Sequence, residues 1–213
     1  MKIVVVSPPD DRVDELEAVR ALFDAGLGRY HLRKPAWSFE GTASFLMGLP
    51  SRWRHRVILH GHHAVARNLD AGGIHFRDDG HAPGDPTSQV GANGFASRSC
   101  HDVSAVSAAL GRFGAVFIGP VFASLSKPGY GPMPRQARDE LKHLLASRTQ
   151  AQRGTDVVAI GGITTETLAD CHALGFDGAA VLGAVWEAPD PVAAFVALSG
   201  ACSALATVHQ RTP

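Results

Sequence analysis

The feature that most limits what this chain can fold into is a repeated alternation. A short apolar run gives way to a polar or glycine-rich turn, and then to a stretch whose apolar residues recur at helical spacing. Ile3 to Val6 opens the series and is closed by Ser7-Pro8-Pro9-Asp10. Strand-like runs follow at Tyr30 to Arg33, Val57 to His60, Gly73 to Phe76, Gly94 to Ser97, Ala115 to Gly119, Val157 to Ile160 and Gly178 to Leu182. Helical patterns are expected over Val13 to Ala25, Ser38 to Leu49, Ala64 to Leu69, His101 to Leu110, Arg135 to Ser147 and Thr164 to Leu174, with a last one from Pro191 to about Leu205. Continuous apolar strands are buried on both faces, and strands joined through helices run parallel. Eight such units in 213 residues, with no linker between them, predict one domain over residues 1–213 folded as a (β/α)8 TIM barrel. The alternative, a doubly wound sheet, normally carries a G-x-G-x-x-G turn after its first strand, where this chain has Ser7-Pro8-Pro9.

Charge and composition narrow the partners. Twenty Lys and Arg cancel twenty Asp and Glu, so no basic field exists to hold a nucleic-acid backbone, and nucleic acid is not expected as a partner. No run approaches the ~20 apolar residues that span a bilayer, and the N-terminal run is too short for a signal-peptide core; a cytoplasmic protein without membrane attachment is expected. Cys100, Cys171 and Cys202 are odd in number and widely separated, which suggests reduced thiols rather than disulfides or a thiolate zinc site.

A barrel of this kind carries its chemistry at the C-terminal ends of its strands. The polar residues there are Arg33 and Lys34, His60, His75 to Asp79, Ser97 to His101, and Ser124 to Lys127, followed by Gly161-Gly162 and Gly183. Glycines after the last two strands allow backbone N–H groups to face an oxyanion, although they also serve as plain tight turns. With Arg33, Lys34 and Lys127 on neighbouring strand ends, a small phosphorylated ligand is the inference. His101, read as the first residue of a helix capped by Ser99, is the candidate proton carrier; its bland alternative is a surface histidine. His60-x-His62 has a spacing that can pair metal ligands, but no carboxylate follows the last strand, and no metal site is expected from it.

Five motifs in this order resemble the thiamine phosphate synthase/TenI superfamily: His31-Leu32-Arg33-Lys34, Ser99-Cys100-His101, Gly119-Pro120-Val121-Phe122 leading to Ser126-Lys127, Ala159-Ile160-Gly161-Gly162-Ile163, and Gly178-Ala179-Ala180-Val181. The resemblance covers nearly the whole chain and implies a barrel enzyme of thiamine biosynthesis. Synthases of the superfamily join a pyrimidine pyrophosphate to a thiazole phosphate, lose pyrophosphate, and use Mg2+. Where they carry Asn-Asp after the third strand, this chain has His60-Gly61, and their later carboxylate is displaced to Asp78 or Asp79. These departures are similar to the TenI branch, which isomerises a thiazole carboxylate phosphate with the histidine of its S-x-H motif.

The resemblance therefore implies a thiazole tautomerase that needs no cofactor. His101 is its acid/base, and His31, Arg33, Lys34, His60, Ser97, Ser99, Ser124, Ser126 and Lys127 contact substrate. Backbone at Gly161, Gly162, Val181, Leu182 and Gly183 holds the phosphate. A Mg2+-dependent synthase is the alternative, and a non-catalytic phosphate binder the third reading. The expected partner is a thiazole phosphate, with homo-oligomerisation left open.

Overall fold

The computed structural model describes residues 1–78, 90, 94–123 and 131–209, with side chains of the last helix described to residue 205. Eight parallel strands close into a barrel in sequence order: β1 (Lys2–Val6), β2 (Tyr30–Leu32), β3 (Val57–Leu59), β4 (Gly73–Phe76), β5 (Phe95–Cys100), β6 (Ala115–Ile118), β7 (Asp156–Ile160) and β8 (Gly178–Val181). The β1–β8 pairing, Val4 opposite Ala180, closes the ring. Helices α1 (Glu15–Asp24), α2 (Phe39–Gly48), α3 (Ser51–Arg54), α4 (His63–Asn68), α5 (Val103–Ala109), α6 (Arg135–Ser147), α7 (Leu168–Leu174), α8 (Gly183–Trp186) and α9 (Pro191–His209) complete the chain.

The barrel follows from strands that are apolar on both faces. Their alternate side chains divide between two clusters. Val4, Val6, Ala115, Phe117, Val158 and Ala180 fill the interior. Val5, Leu32, Val57, Leu59, Ile74, Val116, Ile118 and Val157 face outward and pack against Val19, Leu22, Leu46, Val106, Leu141 and Leu168 of the helices. Each such side chain, removed wholly from water, stabilises the fold by roughly 1.5–3 kcal/mol. Among the described residues no helix is long and apolar enough to cross a membrane.

Two local expectations are corrected. Ser99 does not cap the helix after β5: the strand runs on to Cys100, and Asp102 is the cap, its carboxylate accepting from the Ala105 N–H at 2.7 Å. The helix therefore starts at Val103, not His101. Thr164 to Thr167 forms a turn, with the Thr164 N–H donating to the Thr167 hydroxyl at 2.9 Å, and α7 begins only at Leu168.

The lower end of the barrel, at the N-terminal ends of the strands, holds a cavity of about 440 Å3 bounded by Lys2, Arg29, Phe95, Asp156, Phe195 and Ser199. Lys2 pairs there with Asp156 at 2.8 Å, and the Arg29 guanidinium lies 3.7 Å from the Phe95 ring centre. This cavity is at the opposite end from the rim where a barrel carries its chemistry.

Candidate active site

Strand register assembles the site. Leu59 pairs with Ile74, which brings His60, one residue past β3, alongside His75 of β4, and His75 pairs with Ser97 of β5. His31 of β2 pairs with Ile58, two residues below His60. His31 and His75 are buried, and the His60 and His75 rings stack with centres 4.0 Å apart. His31 Nδ1 is 3.0 Å from His60 Nε2, and Phe117 closes the floor 4.7 Å from the His31 ring.

Hydroxyls fix the third imidazole. His75 Nδ1 lies 2.9 Å from Ser97 Oγ and its Nε2 lies 2.9 Å from Ser99 Oγ. The Ser97 hydroxyl donates to the Ile74 carbonyl at 3.5 Å, so its oxygen is left to accept from His75 Nδ1–H. That assignment leaves the His75 Nε2 lone pair facing Ser99. Burial pushes His75 down to about 3, helped by the charges of His63 and Arg33. Burial likewise drives His31 and His60 well below the ordinary imidazole range, with neighbouring histidines adding to the effect. At neutral pH the cluster is uncharged and rich in nitrogen lone pairs.

The two cations after β2 have different fates. The Lys34 ammonium is buried against the Glu15 carboxylate, with both side chains at most 2% exposed, and also donates to the Asp10 carbonyl at 2.7 Å. Tyr30 donates to the same carboxylate at 2.7 Å. Burial pushes Glu15 up while these two donors pull it down. Lys34 thus ties β2 to α1, and the expectation that it contacts substrate is corrected. Arg33, whose charge bears on His60 and His75, forms no ion pair among the described residues. Of these two cations it is the one left for a ligand.

The other expected residues divide as follows. His101 is exposed, one residue past β5 and beside the cap Asp102. Ser97 and Ser99, expected to meet substrate, each lie within hydrogen-bond distance of a His75 ring nitrogen. Gly161 and Gly162 follow β7 with left-handed φ of 93° and 66°, and their carbonyls accept from the Phe122 N–H and the Thr167 hydroxyl. Val181 ends β8, and Leu182 caps α8, which starts at Gly183. Ser124, Ser126, Lys127 and Asp79 lie outside the described residues. His62 turns away from His60, its Nε2 donating to the Trp37 carbonyl at 2.7 Å. His75 is not among the expected substrate contacts; its sequence signal is that it stands with the polar residues at the end of the fourth apolar run.

A magnesium ion fits these residues poorly. The Asp78 carboxylate is held by the Arg98 guanidinium at 2.9 Å, and the strand ends beside it offer imidazole nitrogen where hard Mg2+ takes oxygen.

A family model described as thiamine monophosphate synthase matches residues 3–185. The thiamine-phosphate synthase of Bordetella bronchiseptica is 32% identical over 204 residues, covering 93% of both chains. That of Methylobacillus flagellatus is 26% identical, covering 88% of both. Among solved structures, a thiamine phosphate pyrophosphorylase from Bacteroides thetaiotaomicron is similar with a TM-score of 0.73, 28% identity and 98% coverage of both chains. One from Pyrococcus furiosus, 20% identical with 96% of both chains covered and a TM-score of 0.75, shares the fold.

Proposed function

Because the chain belongs to the thiamine monophosphate synthase family of thiamine-biosynthesis enzymes, we propose that its reaction is the synthase one, ahead of the isomerisation implied by the TenI-like departures. The observation that carries this reading is the end-to-end likeness to chains named thiamine-phosphate synthase. In it, the thiazole nitrogen lone pair forms a bond to the pyrimidine methylene carbon. The bond from that carbon to pyrophosphate breaks, and its electron pair leaves on the pyrophosphate oxygen.

The residues described supply holding and shielding. Arg33 offers a planar, permanently charged fork to a phosphate. The turns at Gly161-Gly162 and Leu182-Gly183, directly after β7 and β8, are the backbone that would offer N–H groups to the thiazole phosphate. The apolar floor of Phe117, Ile160 and Leu182 keeps water from the electron-poor methylene. No step is assigned to magnesium, since the described side chains do not make a hard-ion site.

A second reading keeps the thiazole tautomerase. What favours it is His60-Gly61 in place of a carboxylate, together with an exposed His101 at the rim, free to carry a proton between two ring carbons. Purified chain given pyrimidine pyrophosphate and thiazole phosphate, with and without added divalent cation, separates the two. Release of pyrophosphate with stoichiometric thiamine phosphate is the expected result. Isomerisation of the thiazole carboxylate phosphate without pyrophosphate release, abolished by His101→Ala, transfers the assignment to the tautomerase. Tight binding of thiazole phosphate with neither reaction overturns both in favour of a phosphate-binding protein.

A further inference from the structure

We propose that His31, His60 and His75, at the C-terminal ends of β2, β3 and β4, form a binding site for one first-row transition dication of the zinc class. The proposal stands on geometry, and it is independent of which reaction the rim performs.

One ring nitrogen from each of the three side chains lies within 4.8 Å of the other two, with no carboxylate in the group. A tetrahedral zinc holds imidazole nitrogens at about 2.0–2.1 Å, so a pair of ligating nitrogens stands roughly 3.4 Å apart. His31 Nδ1 and His60 Nε2 are at 3.0 Å, so a few tenths of an ångström of opening admits the ion between them. The contact they make without metal is a hydrogen bond that uses one nitrogen's proton on the other's lone pair; the ion would take both lone pairs. The His31 ring centre is 5.2 Å from that of His60 and 5.6 Å from that of His75, near the roughly 5 Å that three imidazoles on one tetrahedral ion require. His60 and His75, stacked at 4.0 Å, must splay by about 1 Å.

The surroundings have the parts a nitrogen site uses. Ser97 Oγ holds His75 Nδ1 at 2.9 Å and is itself tied to the Ile74 carbonyl, the outer support that orients a ligating imidazole and fixes its tautomer. Ser99, now bonded to Nε2, is the group the ion displaces. Three uncharged nitrogen ligands select zinc, cobalt, nickel or copper over magnesium and calcium. They also leave a fourth position for water or an anionic oxygen. Arg33 and Arg77, whose positive charges act on His60, disfavour a bare dication and favour one whose charge is offset by a bound anion. A phosphorylated ligand and the ion are therefore expected to bind cooperatively.

The test uses untagged full-length chain stripped with chelator and titrated with zinc against a chromophoric competitor. One zinc per chain is expected, undisplaced by millimolar Mg2+, with affinity at least 100-fold weaker in His60→Gln and in His75→Gln, and roughly 10–100-fold weaker in Ser97→Ala. His143→Gln, on the exposed face of α6, leaves it unchanged. Pulsed EPR of the Cu2+-loaded wild-type chain counts coupled imidazoles without any variant, and three are expected. Fewer than three imidazoles, zinc binding that His60→Gln weakens no more than His143→Gln does, or displacement of zinc by Mg2+ overturns the site.

Discussion

The barrel rim has two unlike halves. From β2 to β5 it is built from side chains that can hold lone pairs and protons: His31, His60, His75, Ser97, Ser99 and the exposed His101. From β6 to β8 the described residues at the strand ends are chiefly backbone, with Gly119, Gly161, Gly162 and Gly183. A Cβ on Gly119 would stand 2.0 Å from the Ile160 carbonyl oxygen, so two neighbouring strand ends touch there main chain to main chain. The difference teaches a division of labour. The first half can tune and exchange ligands because its groups are side chains with choices of partner, whereas the described glycines of the second hold a fixed shape.

The sharpest way to break that division lies at the end of β2, where adjacent cations are assigned opposite duties. Lys34→Ala leaves Glu15 buried without its counter-charge, and breaking a buried pair in this way costs about 3–5 kcal/mol. For a chain of this size that lowers the melting temperature by roughly 6–20 °C. Lys34→Met combined with Glu15→Leu and Tyr30→Phe removes the whole polar group and is expected to cost less than Lys34→Ala alone. A melt unchanged by Lys34→Ala would return that lysine to the ligand.

The glycine half is tested next. Gly162 has a φ of 66°, and an added Cβ would meet the Ala123 carbonyl oxygen at 2.5 Å and the Phe122 Cβ at 2.7 Å. Strain in the left-handed region plus a clash with main chain predicts a loss of about 2–4 kcal/mol for Gly162→Ala in denaturant unfolding. At Gly183 the added atom meets only the flexible end of Glu187 at 2.9 Å, and Gly183→Ala is expected to stay within about 0.5 kcal/mol of wild type. Equal losses at both positions would show that the shape of the turn after β7 is not what sets this half apart.

How much of this could be read from sequence follows the same division. The alternating apolar runs gave the barrel, and α6 was expected with the bounds it has, because both depend on periodicity alone. Periodicity fails in β5, where the inward residues Ser97 and Ser99 are polar: the apolar pattern stops at Ser97, and Ser99 has the look of a cap although the strand runs on to Cys100. The polar interior that hid the strand is what makes the site. Nothing local marks Lys34 as structural, since its partner Glu15 lies 19 residues back on another element. The triad of histidines needed the β2–β3–β4 register before three separate residues became neighbours. Gly161 and Gly162 were legible because a turn after a strand and a close backbone approach both select glycine.

Arg33 sharpens the comparison from the side of function. With no ion pair to lose among the described residues, Arg33→Gln is expected to shift the melting temperature by less than about 2 °C. Loss of a charge-assisted hydrogen bond worth about 1.5–3 kcal/mol should raise KM or Kd for the thiazole phosphate roughly 10- to 150-fold. Destabilisation with ligand affinity intact would reverse the roles of the two cations.

The smallest effect asks whether the two halves are equally closed. Cys100 lies on the outer face of β5 behind the histidines, and Cys171 lies on α7 behind the glycine turn; both are at most 1% exposed. Burial pushes Cys100 up to about 11 and Cys171 up to about 12. A folded-state value above the unfolded one means that stability is complete while both states hold the proton, below about pH 8, and falls once the unfolded thiol ionises. At pH 9.5 each cysteine contributes about 1 kcal/mol of that fall, so Cys100→Ala and Cys171→Ala should each flatten the alkaline limb of stability against pH by a similar amount. Thiol labelling at pH 8 should likewise be slow at both and limited by opening of the fold. If Cys100 labels much faster than Cys171, the histidine half opens on its own, and the rigid partner in this barrel is the glycine half alone.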